Sequence, residues 1–151
     1  MKYAIISLLL LFTSCTQQTG PTSEELAEQY GNLTDEETGL LDPDRSRAFI
    51  ESTRAYAESG DAQASEWLFK AGEVAQGIQD NEEALALYQG ILEDFPEGDR
   101  AADATFMIAF TYDENFRNVA KAREYYELFL EKYPDDDFAD DAQILLEMLG
   151  E

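Results

Sequence analysis

Carboxylates are the only side chains abundant enough in this sequence to form a reactive cluster. The densest group is Asp135, Asp136, Asp137, Asp140 and Asp141. A calcium loop needs alternating oxygen ligands, a glycine at mid-loop and a terminal glutamate. This run lacks the glycine and leads straight into an apolar-periodic stretch. It reads as a helix start, where acidic side chains meet the positive end of the helix dipole. The sequence has no histidine. That removes Ser-His-Asp and Cys-His catalysis, imidazole metal sites and the ordinary switch near neutral pH. No glycine-rich phosphate loop is present, and the isolated glycines fit turns or helix ends. The expectation is a non-enzymatic chain with no catalytic residues, no metal and no cofactor.

Cys15 is the single cysteine, so no internal disulfide can form. It follows Lys2 and an apolar run from Tyr3 to Phe12. That run is too short to span a bilayer as a helix and suits the core of a signal peptide. Thr13 and Ser14 lie between the run and the cysteine. The segment resembles a bacterial lipoprotein signal, with Phe12 where that motif usually carries leucine. The resemblance implies a signal peptide over residues 1–14 and lipidation, including palmitate, on Cys15 after cleavage. Multiple acyl chains hold a protein at a membrane far better than one. Thr16 and Gln17 follow the cysteine rather than aspartate, and no acidic run comes directly after it. By the same resemblance, the expected location is lipid-anchored on the periplasmic side of the outer membrane.

The sequence carries 33 Asp+Glu against 10 Lys+Arg, a formal charge of -23 over 151 residues. Such a surface repels nucleic acid and anionic lipid headgroups. It confers solubility and is compatible with a basic partner. The length suits one domain with a modest core.

Residues 15–43 read as the lipidated cysteine followed by a flexible acidic tether. Within it, residues 24–30 can form a short helix capped by Ser23. From residue 44 the pattern changes to amphipathic helices. Residues 83–96 (EALALYQGILEDFP) and 121–134 (KAREYYELFLEKYP) are near-copies. Ala84, Tyr88, Leu92, Glu93 and Pro96 match Ala122, Tyr126, Leu130, Glu131 and Pro134, each pair 38 apart. The apolar positions in both follow helical spacing of three and four. Proline closes each, because it cannot continue a helix and biases the preceding residue toward extended geometry. Three stretches, 64–72, 101–109 and 139–147, align as partner helices opened by Ala64, Ala101 and Ala139. Asp80 or Asn81 can cap the helix that follows the first of them.

This pattern resembles the tetratricopeptide repeat, carried here by Gly72 or Ala109, Tyr112, Ala84 or Ala122, Tyr88 or Tyr126, and Pro96 or Pro134. Ala75 stands where Tyr112 would be expected in the first unit. The resemblance covers residues 44–149, within a repeat domain of 44–151. It implies an all-α fold, a right-handed superhelical solenoid of helix-turn-helix repeats. Two full repeats would carry half-repeats at each end: a helix over 44–60 and a terminal cap over 137–149. One helix pair cannot bury its own apolar stripe, so pairs stack.

The resemblance further implies a concave groove lined by the first helix of each pair. Its candidate residues are Glu66, Phe69, Lys70, Glu73, Gln76, Asp103, Phe106, Phe110 and Asp113. Such a groove would suit a protein partner or peptide segment with apolar anchors and a basic flank. Lys70 is the one cation of that set, so a clamp for a free carboxyl terminus is not visible. The chain is similar to small repeat lipoproteins grouped with outer-membrane-assembly lipoproteins and the periplasmic cell-division coordinator. The function expected from this is an interaction scaffold or adaptor in envelope or outer-membrane protein assembly. An envelope chaperone and an accessory subunit of an envelope enzyme are the alternatives.

Overall fold

The computed structural model describes residues 20–150. The signal segment and Cys15 lie outside them. Among the described residues the chain forms seven α-helices and one isolated antiparallel bridge, Thr34 to Leu41. The helices are α1 Ser23–Gly31, α2 Pro43–Ala57, α3 Ala64–Gly77, α4 Asn81–Asp94, α5 Ala101–Glu114, α6 Val119–Lys132 and α7 Ala139–Met148. Each packs chiefly on its neighbours in sequence. The result is an all-α helical repeat solenoid. None of the described helices is long and apolar enough to cross a membrane.

Local chemistry sets the boundaries. The Asp80 carboxylate accepts a hydrogen bond from the Glu83 backbone N–H at 3.3 Å. Asn118 does the same for Lys121 at 3.2 Å. Asp80 is therefore the cap of α4, with Asn81 its first helical residue. At the other end, Phe95 and Tyr133 precede the two prolines. They leave helical geometry almost identically, at φ -132°, ψ 51° and φ -129°, ψ 53°. The turns within each pair match too. Gln79 and Arg117 stand 38 apart in sequence and both adopt positive φ, 63° and 52°. Pro43 occupies the first position of α2, where its missing N–H costs nothing, and Asp42 caps the helix.

Small residues bring the helices together and aromatic residues fill the space between them. Ala84, Ala104, Ala122 and Ala142 are fully buried, as are Tyr88, Tyr126 and Phe129. Full burial of a large apolar side chain contributes about 2 kcal/mol. Gly72 lies against the Tyr88 ring, with an added Cβ only 2.6 Å from Tyr88 Cζ.

Two sequence expectations need correction. From residue 20 onward the stretch expected as flexible tether is packed structure. Leu26 is fully buried and Leu33 is 3% exposed, both in the core. Thr22, not Ser23, caps α1, in a reciprocal capping box with Glu25. The Ser23 hydroxyl instead accepts from Trp67 Nε1 at 3.0 Å and donates to Gln63 at 2.8 Å. Leu41 reaches α3, where a Cβ at Gly77 would meet its Cδ1 at 2.5 Å. Apolar burial, not polar composition, decides the state of this segment. Second, α1 gives α2 a partner, so the amino-terminal unit is a short helix pair rather than a half-repeat.

Candidate functional site

Helices α1, α3, α5 and α7 adjoin along one side of the stack. Contacts among their side chains establish this. Lys70 Nζ lies 5.6 Å from the centre of the Tyr30 ring, joining α1 to α3. Arg100, just before α5, reaches Glu66 on α3 at 2.5 Å. Phe138, just before α7, stacks on Phe106 at 5.0 Å. Residues 66, 70 and 73 on α3 and 103, 107 and 110 on α5 run along this face at helical spacing of three and four.

The sequence-derived site residues divide into three groups. Glu66, Lys70 and Asp103 form one ion network around Arg100. Lys70 pairs with Glu66 at 2.7 Å, and Arg100 with Asp103 at 2.6 Å. The hydrogen bond from Arg100 leads in holding the Glu66 carboxyl down at about 2, with Lys70 adding to it. Lys70 is thus neutralised within the protein and is not available as an anion clamp. Arg100 was not among the expected residues. Its sequence signal is that it is the one cation in the acidic turn over 93–103, which names no partner.

Phe69 and Phe106 form the second group and belong to the core. Each is only 9% exposed. Phe69 packs on Tyr88 at 5.4 Å beneath the Arg100 guanidinium, 4.9 Å from its ring centre. Phe106 packs on Tyr126, Phe129, Phe110 and Phe138. Their rings turn toward the second helix of their own pair. The expectation that they line an open groove is corrected: they support the face from below. Phe110, partly buried, presents its ring at the surface of the same stack.

Glu73, Gln76 and Asp113 form the third group. Glu73 is exposed. Gln76 is built into the scaffold: Tyr88 Oη donates to its Oε1 at 3.2 Å, and its Nε2 donates to Thr111 Oγ1 at 3.0 Å. Thr111 in turn donates to the Met107 carbonyl at 2.6 Å. This chain ties α4, α3 and α5 together. Asp113 is half-buried, and desolvation, with Glu114 beside it, pushes its carboxyl up.

Nothing in this arrangement assembles a nucleophile with a base, and no group of three metal-type ligands occurs among the described residues. A cleft of about 670 Å³ lies away from the expected face, between α1 and α2. Its walls include Glu25, Glu28, Asn32, Arg45, Ala48 and Ser52, and no expected site residue lines it. What the shared face offers is a graded surface. Paired charges lie over α3, the partly buried Phe110 and Met107 lie over α5, and the carboxylates Glu73 and Asp113 flank them.

A family model described as tetratricopeptide repeat matches residues 68–98 and 103–136. The match supports a tetratricopeptide repeat protein. The two matched stretches contain α4 and α6 entire and most of α3 and α5. No curated protein matches the chain. Tetratricopeptide repeats are interaction scaffolds that bind protein partners, and no enzymatic family is indicated. The repeat register also relates the core positions: Gly72 and Ala109 hold the small-residue place beside Tyr88 and Tyr126.

Proposed function

We propose that this protein is a non-enzymatic lipoprotein scaffold, held by acyl chains on Cys15 at the periplasmic side of the outer membrane. It would serve envelope or outer-membrane protein assembly by binding a protein segment along the face shared by α1, α3, α5 and α7. The observation that carries the binding role is the character of that face. Phe110 and Met107 stand partly exposed on α5, on the same face as two carboxylates outside the Arg100 ion network, Glu73 and Asp113. Apolar anchors inside an acidic rim fit a segment carrying apolar side chains and basic flanks. The anchor rests on the apolar run ending just before Cys15.

Crosslinking in intact cells, followed by denaturing purification, tests the scaffold role. One dominant envelope protein in stoichiometric yield is the expected result. A spread of unrelated envelope proteins would overturn the adaptor reading in favour of client holding. Cys15→Ala tests the anchor: the protein should move from the membrane fraction to the soluble periplasm. Unchanged membrane attachment would sink the anchor.

A further inference from the structure

The two repeats differ in one polar ladder of the core. In the first, the Tyr88 hydroxyl donates to Gln76, and Gln76 donates onward to Thr111. In the second, alignment of α3 with α5 places Asp113 where Gln76 stands, and alignment of α4 with α6 places Tyr126 where Tyr88 stands. Leu149 falls where Thr111 would be. The ladder is broken at both ends. Tyr126 is fully buried and its hydroxyl has no hydrogen-bond partner. Asp113 is the nearest equivalent of the acceptor that Tyr88 finds in Gln76, yet it makes no ion pair and no hydrogen bond among the described residues. Arg117, four residues on, pairs with Glu114 at 3.5 Å and reaches Asp113 only through its charge, as the smallest influence on that carboxyl.

A half-buried carboxylate without a hydrogen-bond donor, near enough for its charge to act on a buried orphan hydroxyl, is an unsatisfied arrangement. An internal cation neutralises each of the other two buried-edge carboxylates of this face, Glu66 and Asp103. A carboxylate accepts only, so the missing group must be a donor. We infer that Asp113, backed by the Tyr126 hydroxyl, is a subsite for a cationic side chain of the bound segment, a lysine ammonium or an arginine guanidinium. Phe110, one turn earlier on α5, supplies the apolar wall along which the stem of such a side chain lies. In the bound state the incoming cation would donate to one carboxylate oxygen, and a small rotation of Asp113 would bring the other within reach of the Tyr126 hydroxyl, which has no partner in the free chain. Glu114 adds negative charge at the rim. The chemistry is the inverse of a carboxylate clamp, and it gives the partner's basic flank a defined address. This inference rests on the scaffold reading and specifies the partner's chemistry.

The test is an NMR titration of the full-length chain with a triarginine peptide, using tricitrulline as the neutral isostere. Saturable shifts centred on Phe110, Asp113 and Tyr126 are expected with triarginine and not with tricitrulline. Asp113→Asn should weaken binding about tenfold, the scale of a hydrogen bond to a charged group. Glu51→Gln, an exposed carboxylate on α2 outside that face, should weaken it by less than about twofold. Tyr126→Phe should weaken it several-fold, about as one neutral hydrogen bond would. Equal losses in all three variants, with shifts spread over the acidic surface, would overturn the subsite in favour of general attraction to an acidic chain. So would an Asp113→Asn variant that binds triarginine unchanged. If Asp113→Asn does not fold, Asp113→Gln, which restores the residue of the first repeat, carries the same test. Crosslinking separates the two levels. A partner still captured by a chain whose triarginine binding ignores Asp113 would remove the subsite and leave the scaffold role standing.

Discussion

Replacing Gly72 with alanine tests the close approach on which the first repeat is built. The new methyl group would lie 2.6 Å from Tyr88 Cζ and 3.0 Å from Cδ1. Tyr88 is fully buried and its hydroxyl is tied to Gln76. The ring cannot move aside without breaking that bond. Overpacking a core costs about 1–3 kcal/mol. Loss of the Tyr88–Gln76 hydrogen bond adds about 1 kcal/mol. Alanine in a helix interior offsets about 1 kcal/mol of this. The net expectation is a destabilisation of about 2 kcal/mol, read as a lower urea midpoint with unchanged slope. The second repeat offers a natural comparison. Ala109 holds the place of Gly72, and there the tyrosine hydroxyl has no partner. A double-mutant cycle isolates the cause. In a Tyr88→Leu background the ring is gone, and Gly72→Ala should then stabilise by about 1 kcal/mol. Gly90, inside α4 with nothing near its missing Cβ, is the control: Gly90→Ala should stabilise by about 0.5–1 kcal/mol. A Gly72→Ala variant as stable as the parent would refute the packing argument.

Other expectations follow from the same contacts. Phe106→Glu should lose most of the helical circular dichroism at 25 °C, because it puts a charge among four aromatic rings; a folded variant would return Phe106 to the open face. Leu26→Ala should destabilise by about 2–4 kcal/mol and expose residues 20–42 to protease, whereas a true tether would show no change. The depressed Glu66 carboxyl contributes stability that is present above its unfolded value of 4.5 and is lost as pH falls through about 2. Because Glu66 is 38% exposed, screening reduces that contribution to about 1 kcal/mol, and Arg100→Gln should remove it from the acid limb of a stability–pH curve.

The helices from 64 onward were legible because proline, alanine and aromatic residues recur in register. The cap of α4 was legible to within one residue, Asp80 or Asn81, because side-chain capping is a local interaction. What the sequence left open was non-local. Leu26 and Leu33 sit in a polar, acidic stretch, and only the core they enter distinguishes them from residues of a tether. Phe69 and Phe106 lie on the correct helices, but a rotation of one position decides whether a ring meets solvent or the second helix of its pair. The role of Arg100 depends on a contact with Glu66, 34 residues earlier, and no periodicity reports it. Asp113 is a candidate from its helix alone, while its unsatisfied state depends on the absence around it of the partners that Gln76 has in the first repeat.

Packing of each helix chiefly on its sequence neighbours also governs how the molecule comes apart. Contacts between residues close in sequence form quickly, without the entropy cost of closing long loops. In such a stack the ends open at little cost to the middle. Amide exchange should therefore be fastest in α1 and α7 and slowest in α4 and α5. A pull on either terminus would peel helices away in order, and the central interface between the two repeats would be the last to part.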